Sequence, residues 1–133
     1  MRRIFLAIAA LSVAIGGAAP AGAAEAVAGP GSYQAGYLTP LVVVERGETL
    51  TLSNFDVAGH NFVASGAYLS KKAARKAKWC SGFPRGKCPL FWSPTVGAND
   101  STEVLGLKAV KSGTEYAFFC SLHPNMKGTL LVR

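Results

Sequence analysis

Histidine, methionine and cysteine are scarce in this sequence. It contains two histidines, His60 and His123, three cysteines, and one methionine beyond Met1, which is Met126. Two imidazoles are too few for an enzyme that builds a second metal centre from additional histidine ligands. This scarcity argues against that class of metalloenzyme and leaves side chains for a single site.

Long apolar runs are also scarce. The one candidate, residues 4–15, follows a basic start at residues 1–3 and precedes small residues that fit cleavage after Ala23 or Ala26. A basic start, an apolar middle and a small-residue exit together predict a secretory signal peptide. The alternative is a membrane anchor, but the run falls short of the ~20 apolar residues that a spanning helix needs.

The domain organisation follows from this start. We predict a signal peptide at 1–26 and a single domain at 27–133, which is long enough for one core. No later segment is long and apolar enough to span a membrane. The protein is therefore expected to be exported, to the periplasm or to the cell surface and beyond.

The rest of the chain lacks strong helical periodicity, and β-branched or alternating runs between glycine-rich turns predict strands instead. These are expected at Tyr33–Leu38, Leu41–Glu45, Thr49–Ser53, His60–Ala64, Ser101–Leu107, Thr114–Cys120 and Lys127–Val132. Residues 27–32 are interpreted as a flexible lead-in. An insertion at about 66–94 differs in character and is predicted to hold a short helix within Leu69–Trp79. The pattern indicates an all-β sandwich.

Three cysteines in an exported chain predict one disulfide and one odd thiol. Cys80 and Cys88 are close in sequence, and we expect them to form a disulfide that staples the insertion. Cys120 is then the odd thiol, which must pair between chains, stay reactive or bind metal. A bond from Cys120 to Cys80 or Cys88 is the alternative.

Three of the scarce side chains fall within seven residues, as Cys120, His123 and Met126, and His60 opens a strand much earlier. Thiolate and thioether are soft ligands that suit Cu(I), and imidazole suits both copper oxidation states. The set therefore predicts a copper site. Zinc is the competing metal, although a zinc site normally lacks a thioether ligand. Separate packing roles for the four side chains are the other alternative.

The copper hypothesis rests on two segments that resemble known proteins. Residues 119–128, with the spacing C-x2-H-x2-M, resemble the copper-ligand loop of the cupredoxins of the plastocyanin/amicyanin kind, and residues 56–62 resemble their N-terminal ligand segment. The resemblance covers most of 33–133, except about 66–94. It implies a Greek-key β-sandwich that holds one type 1 (blue) copper per chain through His60, Cys120, His123 and Met126.

The resemblance also implies roles for residues beside the ligands. The backbone N–H of Asn61 is expected to point at the Cys120 sulfur, and its side chain to tie the two ligand segments together, with Ser121 as a further hydrogen-bonding partner. Amicyanin-like loops usually carry proline where this chain has Leu122. Its N–H is therefore expected to reach the Cys120 sulfur and to raise the reduction potential.

The function implied is that of an electron carrier. We expect a monomeric protein, not an enzyme, that shuttles single electrons between redox partners through Cu(I) and Cu(II). The alternative is a protein that buffers or delivers copper outside the cytoplasm. A delivery protein would often have extra methionine or histidine ligands, and this chain has none to spare.

Acidic residues are few, with seven against fourteen basic residues and a formal charge of +7. None occurs between Asp56 and Asp100, where the insertion carries a cluster of bases: Lys71, Lys72, Arg75, Lys76, Lys78, Arg85 and Lys87. This cluster predicts a redox partner protein with an acidic docking surface. Anionic cell-surface polymer or lipid and an ordinary solvated face are the alternatives. Nucleic acid is not expected for an exported protein.

Overall fold

The computed structural model describes residues 23–133. The strands are β1 (Ala24–Ala28), β2 (Leu41–Val44), β3 (Leu50–Asn54), β4 (Val63–Ala64), β5 (Asp100–Glu103), β6 (Thr114–Cys120) and β7 (His123–Val132). Two short helices, α1 (Ser32–Ala35) and α2 (Lys71–Lys76), and 3-10 turns at Lys78–Gly82 and Leu107–Ala109 complete the described elements.

The strands form two sheets, with the orders β1-β3-β5 and β2-β7-β6-β4. The pairs β1–β3 and β2–β7 are parallel, and the other neighbours are antiparallel. From β1 to β6 each successive strand lies in the other sheet. The predicted all-β sandwich is confirmed.

Aromatic side chains fill the space between the sheets. The Phe62 and Phe118 rings stack with their centroids 4.0 Å apart, and the Tyr37 ring packs edge-on against Phe118 at 5.2 Å. Cys120 and Met126 belong to the same buried cluster. The core therefore continues directly into the region of the predicted copper ligands.

The N-terminal part of the domain differs from the prediction in two ways. Residues 24–28 form β1, so the lead-in predicted at 27–32 is wrong, and so is the strand predicted at Tyr33–Leu38, where α1 lies instead. Alanine has a low strand propensity, but Ala26 and Ala28 are fully buried against the core, so packing decides. Apart from residues 23–26, the predicted signal peptide lies outside the described residues.

The strands around the ligands also differ in length from the prediction. The strand expected at His60–Ala64 is reduced to β4, and His60 instead forms an isolated bridge with Val96. The strand expected at Lys127–Val132 begins earlier, at His123. Backbone pairing therefore still fixes both ligand segments, through the bridge between His60 and Val96 and through the pairing of Cys120 with His123.

The insertion forms a small structure of its own. The helix predicted within Leu69–Trp79 is present as α2, and the Ser70 side chain caps it by accepting a hydrogen bond from the Ala73 N–H. The predicted disulfide between Cys80 and Cys88 is confirmed. A second apolar cluster surrounds this disulfide and is separate from the main core. No helix within residues 23–133 combines the length and apolar character needed to cross a membrane.

Candidate metal centre

His60 enters the site from the segment between β3 and β4. Its backbone N–H donates to the Val96 carbonyl at 3.1 Å, and its carbonyl accepts from the Val96 N–H at 2.8 Å. The side chain is fully buried. This local pairing holds the imidazole inside the core although His60 is not in a regular strand.

Cys120 and His123 face each other across the turn that joins β6 to β7. The register of the pair shifts between Phe119 and Cys120, and Cys120 is then paired with His123. Such an irregularity redirects a side chain relative to the regular pleat. Met126 follows on β7 and is fully buried.

The distances between the ligand atoms suit one metal ion. The Cys120 Sγ atom lies 3.9 Å from Nδ1 of His60 and 3.7 Å from Nδ1 of His123. Bonds of the lengths that zinc forms, ~2.3 Å to sulfur and ~2.0 Å to nitrogen, would at an angle of about 120° separate sulfur from each nitrogen by roughly 3.7 Å. All three ligand atoms lie within 4.8 Å of one another. The two imidazoles and the thiolate therefore fit the trigonal set of a blue-copper site.

Asp56 contacts the His60 ring at Nε2, the ring nitrogen away from the Cys120 sulfur. Its Oδ2 atom lies 2.8 Å from Nε2 of His60, and both side chains are buried. A carboxylate on the outer nitrogen of a ligand histidine fixes the tautomer that leaves the other nitrogen free for the metal. Sequence reasoning missed Asp56. Its position four residues before His60, in a turn-rich link, was the available signal.

Asp56 also ties α1 to the ligand segment. Its carboxylate accepts hydrogen bonds from the backbone N–H groups of Gly31, Tyr33 and Val57 at 2.9 to 3.1 Å. Burial raises the pKa of Asp56, but the hydrogen bonds from His60 and these three N–H groups outweigh it and lower the pKa to about 2. The carboxylate is therefore ionised, and it carries a fixed negative charge beside His60.

Asn61 joins the two ligand segments. Its backbone N–H donates to the Cys120 Sγ atom at 3.5 Å, and its side-chain amide donates to Ser121 Oγ at 2.7 Å. The Ser121 N–H returns a hydrogen bond to Asn61 Oδ1 at 2.8 Å. The structure thus places Asn61 and Ser121 in the positions expected of them.

The hydrogen bond expected from the Leu122 N–H to the Cys120 sulfur is not formed in the described part of the chain. Among the hydrogen bonds of residues 23–133, none runs from the Leu122 N–H to the Cys120 sulfur, and the only backbone N–H that donates to this sulfur is that of Asn61. The Leu122 side chain is 51% exposed. Leu122 therefore contributes to the surface beside His123 rather than to the surroundings of the thiolate.

Tyr37 is a second residue near the site that sequence reasoning missed. Its hydroxyl donates to the Asn61 carbonyl inside the core. Burial, followed by the charge of Cys120 and a hydrogen bond with it, raises the pKa of Tyr37 far above its usual value. Tyr37 therefore stays protonated and fixes the backbone next to His60.

Comparison with known proteins agrees with this geometry. Residues 24–133 match the model of the copper binding proteins of the plastocyanin/azurin family. The chain belongs to this family. Copper is accordingly the cofactor of this cupredoxin, and His60, Cys120, His123 and Met126 cluster as a type 1 copper site.

Solved structures of similar fold include other cupredoxins. A reduced amicyanin with a Trp-to-Tyr substitution is 21% identical, with a TM-score of 0.55, covering 84% of this chain and 83% of its own. A purple cupredoxin from Nitrosopumilus maritimus is also 21% identical, with a TM-score of 0.55, covering 83% of this chain and 99% of its own. No protein with a curated description matches the sequence.

Proposed function

We propose that this cupredoxin is an extracytoplasmic carrier of single electrons. When bound, copper supplies a one-electron Cu(I)/Cu(II) couple. The supporting observation is the donor set itself: the only two histidines of the sequence and the odd thiol bring their ligand atoms within 4.8 Å of one another, and Met126, the sole methionine after Met1, is buried in the same core cluster as Cys120. With both histidines in use, no further imidazole is left for a second metal centre, so we propose a carrier rather than an enzyme.

The surroundings of the ligands favour a carrier over a delivery protein. His60, Cys120 and Met126 are fully buried, and the ligand segments are held by the hydrogen bond that Asp56 accepts from His60 and the one that Asn61 donates to Cys120. A ligand set held in one geometry needs little rearrangement when an electron moves. Rapid metal release would require this buried set to open.

The partly exposed His123 ring is the proposed port for electrons. It lies beside Tyr33, with ring centroids 6.3 Å apart, and next to Leu122 in sequence. Tyr33 and Leu122 are both exposed, and together they would form an apolar margin near the imidazole. An apolar margin of this kind suits brief contact with a redox partner protein.

Export is part of the proposal. The Cys80–Cys88 disulfide suits an oxidising compartment. Of the two cleavage sites, we favour the one after Ala23, because β1 pairs with β3 from Ala24 onward. Cleavage after Ala26 would remove part of this strand. The N-terminal residue of the secreted chain, read by mass spectrometry, tests this choice.

Copper reconstitution tests the proposed function. The copper-loaded protein should show an intense blue thiolate-to-copper band and a type 1 EPR signal, and Cys120→Ser should abolish the band. A Cys80→Ser/Cys88→Ser variant is the matched control, because it removes the two other cysteine sulfur atoms and should keep the band. A colourless product with ordinary Cu(II) signals would overturn the proposal.

Kinetics separate a carrier from a delivery protein. A carrier should show rapid electron self-exchange and slow transfer of Cu(I) to a chelator. Rapid copper loss with slow self-exchange would instead support copper buffering or delivery. We propose that the partner is a redox protein with an acidic surface that contacts the basic insertion. We also propose that the protein is a monomer, which gel filtration with light scattering can check.

A further inference from the structure

The insertion contains a groove that the copper site does not use. A cavity of about 440 Å³ lies between α2, the 3-10 turn at Lys78–Gly82 and the loop 83–86. We refer to it as the basic groove. Its volume lies within the range of ~300–1,000 Å³ that is typical of binding pockets.

Four cations line the basic groove, and nothing in the described chain neutralises them. They are Lys71, Arg75, Lys78 and Arg85, and no carboxylate is among the lining residues. Within residues 23–133 no lysine or arginine forms an ion pair with a carboxylate. Like charges around one concave surface repel each other and create a positive potential that attracts anions.

Apolar atoms also line the basic groove. Ala74, Ala77, Phe83 and Pro84 contribute to it, together with the Cys80–Cys88 disulfide. The disulfide ties the 3-10 turn to the far end of the loop, so the two walls are covalently joined. A simple inorganic anion would neutralise the cations but leave this apolar lining in water. A peptide segment with carboxylates around an apolar side chain matches both the cations and the apolar lining of the groove.

The basic groove adjoins a second cavity that lies beside the end of β6. Phe83 lines both cavities, and the second, of about 320 Å³, is also lined by Phe119 and Ser121, the chain neighbours of Cys120. Trp92, which stacks on Trp79 with centroids 5.8 Å apart, contributes to the same wall. A protein bound in the basic groove would therefore extend toward the end of β6.

We infer that the basic groove is the docking site for an acidic segment of the redox partner protein. The bound segment would present carboxylates to the four cations and one apolar side chain to the lining between them. His123 lines neither cavity, so the docked segment would leave the partly exposed His123 edge open to the redox centre of the same partner protein. The inference rests on the proposed electron-transfer function, because it takes the occupant to be the redox partner.

The test uses the copper-loaded, reduced protein and a blocked synthetic peptide with four glutamates around a central leucine. Titration followed by ¹⁵N NMR should shift amides within residues 71–88. Arg75→Glu should weaken binding about tenfold, and Lys111→Glu less than about twofold. Both side chains are exposed and the charge change is equal, so Lys111→Glu is the matched control.

Further probes distinguish the other occupants. Equal weakening by Arg75→Glu and Lys111→Glu would overturn the basic groove as the site and leave only a general charge effect. Displacement of the peptide by inorganic phosphate at equal concentration would show a small-anion site instead. Binding to phosphatidylglycerol vesicles without binding to the peptide would show a membrane surface instead. If a peptide with glutamines in place of the glutamates bound equally well, the cations would have no role in binding, and the inference would be wrong.

The copper spectrum separates failure of this inference from failure of the proposed function. Arg75→Glu should keep the blue band and the reduction potential of the unaltered protein. If these are kept and the peptide does not bind, the docking site is wrong but the electron carrier stands. If the unaltered protein shows no blue band, the proposed function fails, whatever the groove binds.

Discussion

A buried carboxylate lies directly behind one ligand histidine. Asp56 Oδ2 is 2.8 Å from Nε2 of His60, and three backbone N–H groups hold the carboxylate in place. The negative charge is therefore fixed at a short distance from the ring that faces the Cys120 sulfur. A negative charge at this position stabilises the oxidised state of a metal site, because that state is the more positive one.

Asp56→Asn should therefore raise the reduction potential. The substitution keeps an oxygen that can accept a hydrogen bond but removes the charge. We expect a rise of about 60 mV, which corresponds to a tenfold change in a one-electron equilibrium. Protein-film voltammetry measures the potential. Asp100→Asn, at an exposed position, is the control and should change it little, and an equal rise in both variants would contradict the assigned role.

The Asn61 side chain is expected to contribute to stability as well as to the site. It exchanges two hydrogen bonds with Ser121, and Asn61 itself is buried. Asn61→Ala should lower the free energy of unfolding of the metal-free protein by ~2 kcal/mol, because both bonds are lost. Urea denaturation measures the change, with the exposed Gln34→Ala as control. Similar values for the two variants would show that the link contributes little.

At the level of elements, β6 and β7 form the hairpin that brings three of the four ligands together. The pair depends on a close approach at Gly128, which is opposite Phe118 in the register. A Cβ atom at this position would collide with the Phe118 ring and with the Pro40 carbonyl oxygen. Glycine is therefore required here for packing space.

Gly128→Ala is expected to destabilise the protein by ~1–3 kcal/mol, the usual cost of overpacking a core. Thermal unfolding of the metal-free protein provides the measurement. Gly97→Ala is the matched control, because a Cβ atom there meets nothing within 4 Å. A loss of stability in Gly97→Ala as large as in Gly128→Ala would argue against the steric explanation.

The Cys80–Cys88 disulfide is an element-scale feature of the insertion alone. In a Cys80→Ser/Cys88→Ser variant, the free energy for local opening of the insertion should fall by about 2–3 kcal/mol, as the closure of a short loop predicts, while the sandwich keeps its own stability. Hydrogen exchange should accelerate at amides within residues 71–88 and stay unchanged in β6 and β7. This separation is expected because the cluster around the disulfide is distinct from the main core. Faster exchange throughout the sandwich would contradict it.

For the whole molecule, the excess of basic residues should govern the rate of encounter with charged redox reagents. The formal charge of the sequence is +7. Oxidation of the reduced protein by anionic hexacyanoferrate(III) should slow as ionic strength rises, and oxidation by a cationic cobalt complex should accelerate. Stopped-flow measurements at several salt concentrations test this. Identical salt dependence for the two reagents would show that the overall charge does not steer encounter.

Much of the copper site could be predicted because its ligands are chemically rare. His60, Cys120, His123 and Met126 are drawn from residue types with so few members that few combinations exist. Asp56 could not be selected in the same way, because its role depends on the distance to Nε2 of His60. The Leu122 N–H illustrates the opposite error: its place in the loop suggested a hydrogen bond that the turn geometry does not form.

The sequence by itself determined the class of the site, the copper family and the disulfide, because donor chemistry and spacing are local properties of the chain. Only the tertiary structure decided that alanine-rich residues 24–28 form a strand, that Asp56 supports His60, and that four cations surround one groove. Each of these depends on which distant segments are packed together. Such contacts are set by the crossing of strands between two sheets, and not by the residues of any one segment.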